Sequence, residues 1–118
     1  ICTNQGLLAL RCTIFMALLG KQGIPEIAKL CYQNCHYAYK KILSLTNFEV
    51  LYENTNFIKE FVIKTKISAK KIQSKALNEK ILIDIPVNDK TDSLLLFGFT
   101  EKRTKCEIDK LYDFLQCF

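Results

Sequence analysis

The residues best suited to chemistry are Cys31, Cys35 and His36, set among scattered acids and lysines. Thiolate and imidazole groups bind tetrahedral zinc and take part in nucleophilic catalysis. Cys31 and Cys35 lie one helical turn apart and would share a face, whereas a side chain at position 36 points about 100° away. Zinc would need at least one further ligand from a distant cysteine, and the chain has no C-x-x-C pair to supply it. His36 is the only histidine, so a Ser/His or Cys/His pair would have to use it. Its place between Cys35 and Tyr37 fits a partly exposed, non-catalytic side chain better. A phosphate-binding P-loop, a dinucleotide-binding glycine fingerprint and a G-x-S-x-G elbow are all missing. The residues thus predict no catalytic group and no metal site within this chain.

The elements that carry these residues must fit in 118 residues, enough for one domain with one core, residues 1–118. Hydrophobic residues make up 49% and charged residues 25%, an ordinary globular composition. The net charge of +5 comes almost entirely from Lys. Nucleic-acid binding would want Arg and Lys interleaved with aromatics on one face. Instead Lys64, Lys66, Lys70, Lys71, Lys75 and Lys80 spread over a strand end and a helix, so no nucleic-acid partner is expected. Six cysteines, at 2, 12, 31, 35, 106 and 117, read as small reduced hydrophobes in a cytoplasmic protein. No leader peptide is visible, and Ile1 and Cys2 run straight into an apolar stretch, as expected of a piece of a longer polypeptide. The candidate membrane segment, Gly6 to Gly20, is short and carries Arg11 midway, so no membrane partner is expected either.

Residues 1–45 read as helical. From Asn4 to Leu19 the sequence is apolar nearly all round, with Leu7, Leu8, Leu10, Ile14, Phe15, Leu18 and Leu19 too many for one stripe. A helix of that kind is buried on several sides, so part of it should face another domain or subunit. Gly20 and Gly23 break it, and Pro25 suits the first turn of a second helix bearing Ile27, Leu30, Cys31, Cys35, Ala38, Ile42 and Leu45. Residues 46–118 read as β-β-α-β-β-α. Phe48 to Tyr52 and Phe61 to Lys64 are strands about a polar turn at Glu53 to Asn56. Ser68 caps a helix that stops at Asn78, Ile81 to Ile85 is a strand ended by Pro86, and Ser93 to Phe99 is a central strand. Thr104 and Glu107 form a capping box for a last helix with Ile108, Leu111, Tyr112, Leu115 and Phe118 on one face. The fold class is α/β (α+β): two long helices, then a small, mainly antiparallel sheet with helices on one face.

Several stretches resemble one family in order along the chain. They are ICTNQGLLAL from Ile1, ALLGKQGIPEIAKL from Ala17, the run Ala28 to Tyr37, NFIKEFV from Asn56, and TEKRTKCEID from Thr100. They resemble the glycine cleavage system P-protein family, glycine dehydrogenase (decarboxylating), in its subunit 1 form. The family's glycine-rich turn is replaced here by Lys80 to Lys90, KILIDIPVNDK, with a shorter loop across 81–92.

The resemblance implies the C-terminal small domain of a fold-type-I pyridoxal-phosphate (PLP) enzyme. The whole enzyme would decarboxylate glycine with PLP and pass the aminomethyl group to the lipoyl group of the H-protein, its other partner being glycine dehydrogenase subunit 2. The cofactor lysine would belong to subunit 2, and this piece would be an inactive structural and interface element holding no PLP alone. In related enzymes a Thr ahead of the long helix reaches the cofactor phosphate across an interface, and Thr3, Asn4 and Gln5 occupy that place here. Hydroxyl and amide groups beside free helix N–H groups suit an anion, and simple capping by Thr3 is the other role open to it. An aminotransferase fragment and a non-catalytic interaction module are the competing assignments.

Overall fold

The computed structural model describes residues 5–52, 55–83 and 92–118. In chain order these form helix α1 (Gly6–Leu43), strands β1 (Phe48–Val50) and β2 (Glu60–Thr65), helix α2 (Ala69–Asn78), strand β3 (Leu94–Gly98) and helix α3 (Lys105–Gln116). The strands form one antiparallel sheet in the order β1-β2-β3. Ile63 pairs with Leu95 and with Val50, and Phe61 pairs with Phe97. Alternation along the strands therefore sends Phe48, Phe61, Ile63, Thr65, Leu95 and Phe97 to one buried face, while Glu49 and Lys64 face out. The buried face packs against Cys35, Ala38 and Ile42 of α1, Ala69, Ile72 and Ala76 of α2, and Ile108, Leu111 and Leu115 of α3. All three helices feed one side of the sheet, as the apolar spacing predicts.

The break in α1 is real, but one glycine makes it. Gly20 has φ 63° and ψ −167°, a backbone state that residues with a Cβ rarely adopt. Gly23 stays helical. A Cβ there would come within 3.0 Å of the Leu19 Cβ, so Gly23 supplies room for the Leu19 side chain at the kink. Pro25 lies inside the second arm rather than at its first position. It forfeits one backbone hydrogen bond near the arm's start, where the helix tolerates the loss best. The whole of α1 is long and apolar enough to cross a membrane by length and composition. The bend leaves a first arm of about 14 residues, roughly 21 Å at 1.5 Å per residue, against a hydrocarbon core of roughly 30 Å.

Two further expectations need adjusting. Strand β1 ends at Val50, with Leu51 and Tyr52 in a bend rather than paired. The strand expected at Ile81 to Ile85 is not formed over 81–83, and the remainder lies outside the described residues. What competes there is the end of α2. The N–H of Ile81 donates to the Ala76 carbonyl at 2.8 Å and that of Lys80 to Leu77 at 3.0 Å, with Lys80 at φ 58°. This is the left-handed helix stop in which the segment folds back onto its own last turn. The caps match expectation: Ser68 accepts from the Lys71 N–H, and Thr104 and Glu107 form the reciprocal capping box.

Lys80 holds a conformation that favours glycine. Lys80→Gly is expected to stabilise the fold by about 0.5–1 kcal/mol, read as a higher urea midpoint at unchanged slope; a lower midpoint would show that the lysine side chain contributes more than its backbone strain.

Candidate functional site

Of the residues expected to meet a cofactor, Thr3 and Asn4 lie outside the described residues. Gln5 occupies the N-cap of α1 at φ −108°, ψ 43°, its carbonyl accepts from the Ala9 N–H, and its side chain does not cap the helix. No acid sits in the first turn of α1, so nothing in that turn repels an anion at the positive end of the helix dipole.

The Cys31, Cys35 and His36 constellation separates into three structural roles. Cys35 is fully buried under the sheet, and burial, reinforced by Glu60, pushes its thiol up to about 12. The Cys31 thiol donates toward Glu101 Oε2 at 3.5 Å, joining α1 to the turn before α3. The His36 ring lies between Tyr32 (centroids 3.9 Å apart) and Phe57 (4.3 Å, nearly parallel). Its Nε2 is 3.1 Å from the Phe57 carbonyl oxygen, which can only accept, so Nε2 carries the proton. His36 thus pins the segment entering β2 to α1. Among the described residues no cluster of three or more His, Cys, Asp or Glu could hold a metal ion.

Sequence reasoning missed the polar seam between α1 and α3. Asp109 accepts from Lys41 Nζ at 2.5 Å and from the Tyr37 hydroxyl at 2.6 Å. Lys41 also lies 4.5 Å from the Tyr112 ring centroid, and Lys105 5.5 Å from that of Tyr37. The Lys41 hydrogen bond, then that of Tyr37, holds the Asp109 carboxyl below its usual range, and the same contact to Asp109 raises Lys41. Just above, the Asn34 amide donates to the carbonyls of Thr100 (3.0 Å) and Arg103 (2.7 Å). The turn opening the TEKRTKCEID stretch is therefore fixed in place by α1. The available signal was the i,i+4 pair Tyr37 and Lys41 on the edge of an apolar stripe, with nothing to tell it from solvated surface.

The most unusual surface is the first arm of α1. Leu7 is 75% exposed, Phe15 55% and Leu18 82%, with Leu8, Leu10, Ile14 and Met16 also open. Scattered apolar residues on a surface need no explanation, but a continuous apolar helix marks an interface.

The sequence matches the family described as glycine cleavage system P-protein over residues 1–115. It is 37% identical over 115 residues to a probable glycine dehydrogenase (decarboxylating) subunit 1 of Chlorobium phaeobacteroides, an alignment covering 98% of this chain and 26% of that one. The chain thus spans about a quarter of the length of the curated relatives it matches. Its fold superposes on a crystal structure of glycine decarboxylase (P-protein) of the glycine cleavage system, in inhibitor-bound form, with TM-score 0.88 at 22% identity, covering 98% of this chain and 26% of that chain. A C-DES mutant with glycine covalently linked to its PLP cofactor aligns with TM-score 0.68 at 12% identity, over 80% of this chain and 24% of that one. The fold is that of a segment of the fold-type-I PLP enzymes.

Two measurements check this geometry. Alkylation at pH 8 should modify Cys106 at least about 100-fold faster than Cys35, and denaturant should erase the difference; equal rates in the folded chain would contradict the burial of Cys35. The Asp109 carboxyl sits below its ordinary value of 3.8, so its contribution to stability is present above that pH and is lost as the pH falls through the lowered value. Asp109→Asn should lower the thermal midpoint at pH 6 and flatten its decline below about pH 4; an unchanged acid limb would remove Asp109 as a cause of it.

Proposed function

The chain belongs to the glycine cleavage system P-protein family, and from that membership we propose that it is one part of an enzyme that decarboxylates glycine with PLP and passes the aminomethyl group to the lipoyl group of the H-protein. The observation that carries this is the family match across residues 1–115, supported by a fold shared over 98% of the chain with a glycine decarboxylase. The activity belongs to the assembly, with glycine dehydrogenase subunit 2 as partner and the cytoplasm as its location. This chain alone is inactive, holds no PLP, and engages neither nucleic acid nor membrane.

When bound, PLP supplies the electron sink for the charge left on glycine as carbon dioxide departs. The chain's own contribution is positional. The residues in front of α1 suit the cofactor's phosphate in their chemistry: the Thr3 hydroxyl and the Asn4 and Gln5 amides are neutral donors, and no acid in the first turn opposes a phosphate. The second arm of α1 is held by the sheet and by Asp109, whereas the first arm, which leads from those residues to the Gly20 break, is exposed in this chain.

The test is an assembly of the full subunit 1 with subunit 2 and lipoylated H-protein, measuring carbon dioxide released from carboxyl-labelled glycine. Release is expected from the assembly and not from the 118-residue chain; silence from the complete mixture would overturn the function. In the active assembly Thr3→Val should weaken PLP binding about tenfold, the equivalent of one charge-assisted hydrogen bond. An unchanged PLP affinity would remove Thr3 from the phosphate-binding role, and with the N-cap of α1 at Gln5 it would not make Thr3 the cap of that helix.

A further inference from the structure

The first arm of α1 deepens that reading and rests on it: we propose that this arm is inserted into the remaining polypeptide of a P-protein subunit, in an apolar slot that presents a carboxylate to Arg11. At 100° per residue, Leu7, Leu10, Ile14 and Leu18 form one face of the arm, and Leu8, Cys12 and Phe15 the adjoining one. Met16, Ala9, Thr13 and Ala17 close the circle. The hydroxyl of Thr13 donates to the Ala9 carbonyl at 2.9 Å, so it already has a partner inside the helix and can enter apolar surroundings. A cover is needed on every side.

Three occupants compete, and the arm distinguishes them. A second copy docking helix to helix would bury one seam and leave the other faces wet. A membrane would meet an arm of roughly 21 Å with a guanidinium midway. The relatives supply the third: about three quarters of the Chlorobium subunit lies beyond the part this chain matches. The glycine decarboxylase with the same fold is likewise about four times as long as the matched segment. A body of that size can surround a helix, as one added helix cannot.

Arg11 is the only charged residue from Gly6 to Gly20. Leu7, Leu8, Ile14, Phe15 and Leu18 stand within about two turns of it, so covering them draws the guanidinium out of water. A cation there is tolerated when paired, and a carboxylate is the group that matches its planar fork.

Amide hydrogen exchange over 7–19, compared between the 118-residue chain and the intact subunit that contains it, decides the matter. Exchange should be at least about 100-fold slower in the intact subunit, with 31–42 serving as an internal control for folding. In the intact subunit Arg11→Glu should speed exchange of the arm about tenfold, and Arg11→Lys should recover part of the loss. Equal exchange in both proteins overturns the insertion, as does protection of the 118-residue chain that appears only with a dimer mass in sedimentation. Protection that requires phosphatidylcholine–phosphatidylglycerol vesicles overturns it too. Arg11→Glu exchanging like wild type overturns the carboxylate. PLP content and carbon dioxide release, read on the same sample, report on the enzyme separately: a protected arm in a subunit without either would keep the insertion and sink the function.

Discussion

The packed part of this molecule, from the second arm of α1 onward, depends on one buried sheet face being covered from one side by three helices at close range. Phe61, Ile63, Leu95 and Phe97 fill that face, and two of the helices approach it through small residues, Cys35 and Ala38 on α1 and Ala69 and Ala76 on α2, set beside Ile42 and Ile72, while α3 meets the core with Ile108, Leu111 and Leu115. Large residues on the sheet and small ones on the helices let the layers interdigitate at interior density. A larger side chain at Ala38 would lift α1 from the sheet and with it every contact α1 makes to α3. That approach brings Tyr37 and Lys41 within reach of Asp109, and Asn34 within reach of the turn before α3. The polar seam is a product of the apolar one.

Much of this was legible in the sequence because the signals were local. The apolar stripe from Ile27 to Ile42, the caps at Ser68 and Thr104, and the runs at Phe61 to Lys64 and Ser93 to Phe99 each carry a short-range cause, and each forms its element. The failures arose where two local causes competed. Gly20, Gly23 and Pro25 all resemble punctuation, and only the torsion at Gly20 is spent on the break. At Ile81 the β-branched run was a fair strand signal, but the end of α2 takes up the backbone N–H groups of Lys80 and Ile81 first.

The site was less legible than the fold. The pairing of residues 37 and 41 with 109 spans the length of the domain, and no spacing rule joins them. Conversely, Cys31, Cys35 and His36 stand together in sequence and are parted by geometry: one under the sheet, one against Glu101, one between two rings. Adjacency suggested a constellation, whereas the 100° step of the helix had already argued against it. Membership of the P-protein family came from neither source but from the order of several unremarkable stretches.

The torsion at Gly20 has a thermodynamic consequence. It interrupts the ladder of backbone hydrogen bonds, so helical order cannot spread from the packed arm into the first one. Nucleation, the costly step of helix formation, must happen twice along α1. An arm of about 14 residues sits at the length where an isolated helix is marginal in water. Its winding is therefore governed by its surroundings and is uncoupled from the melting of the rest of the domain.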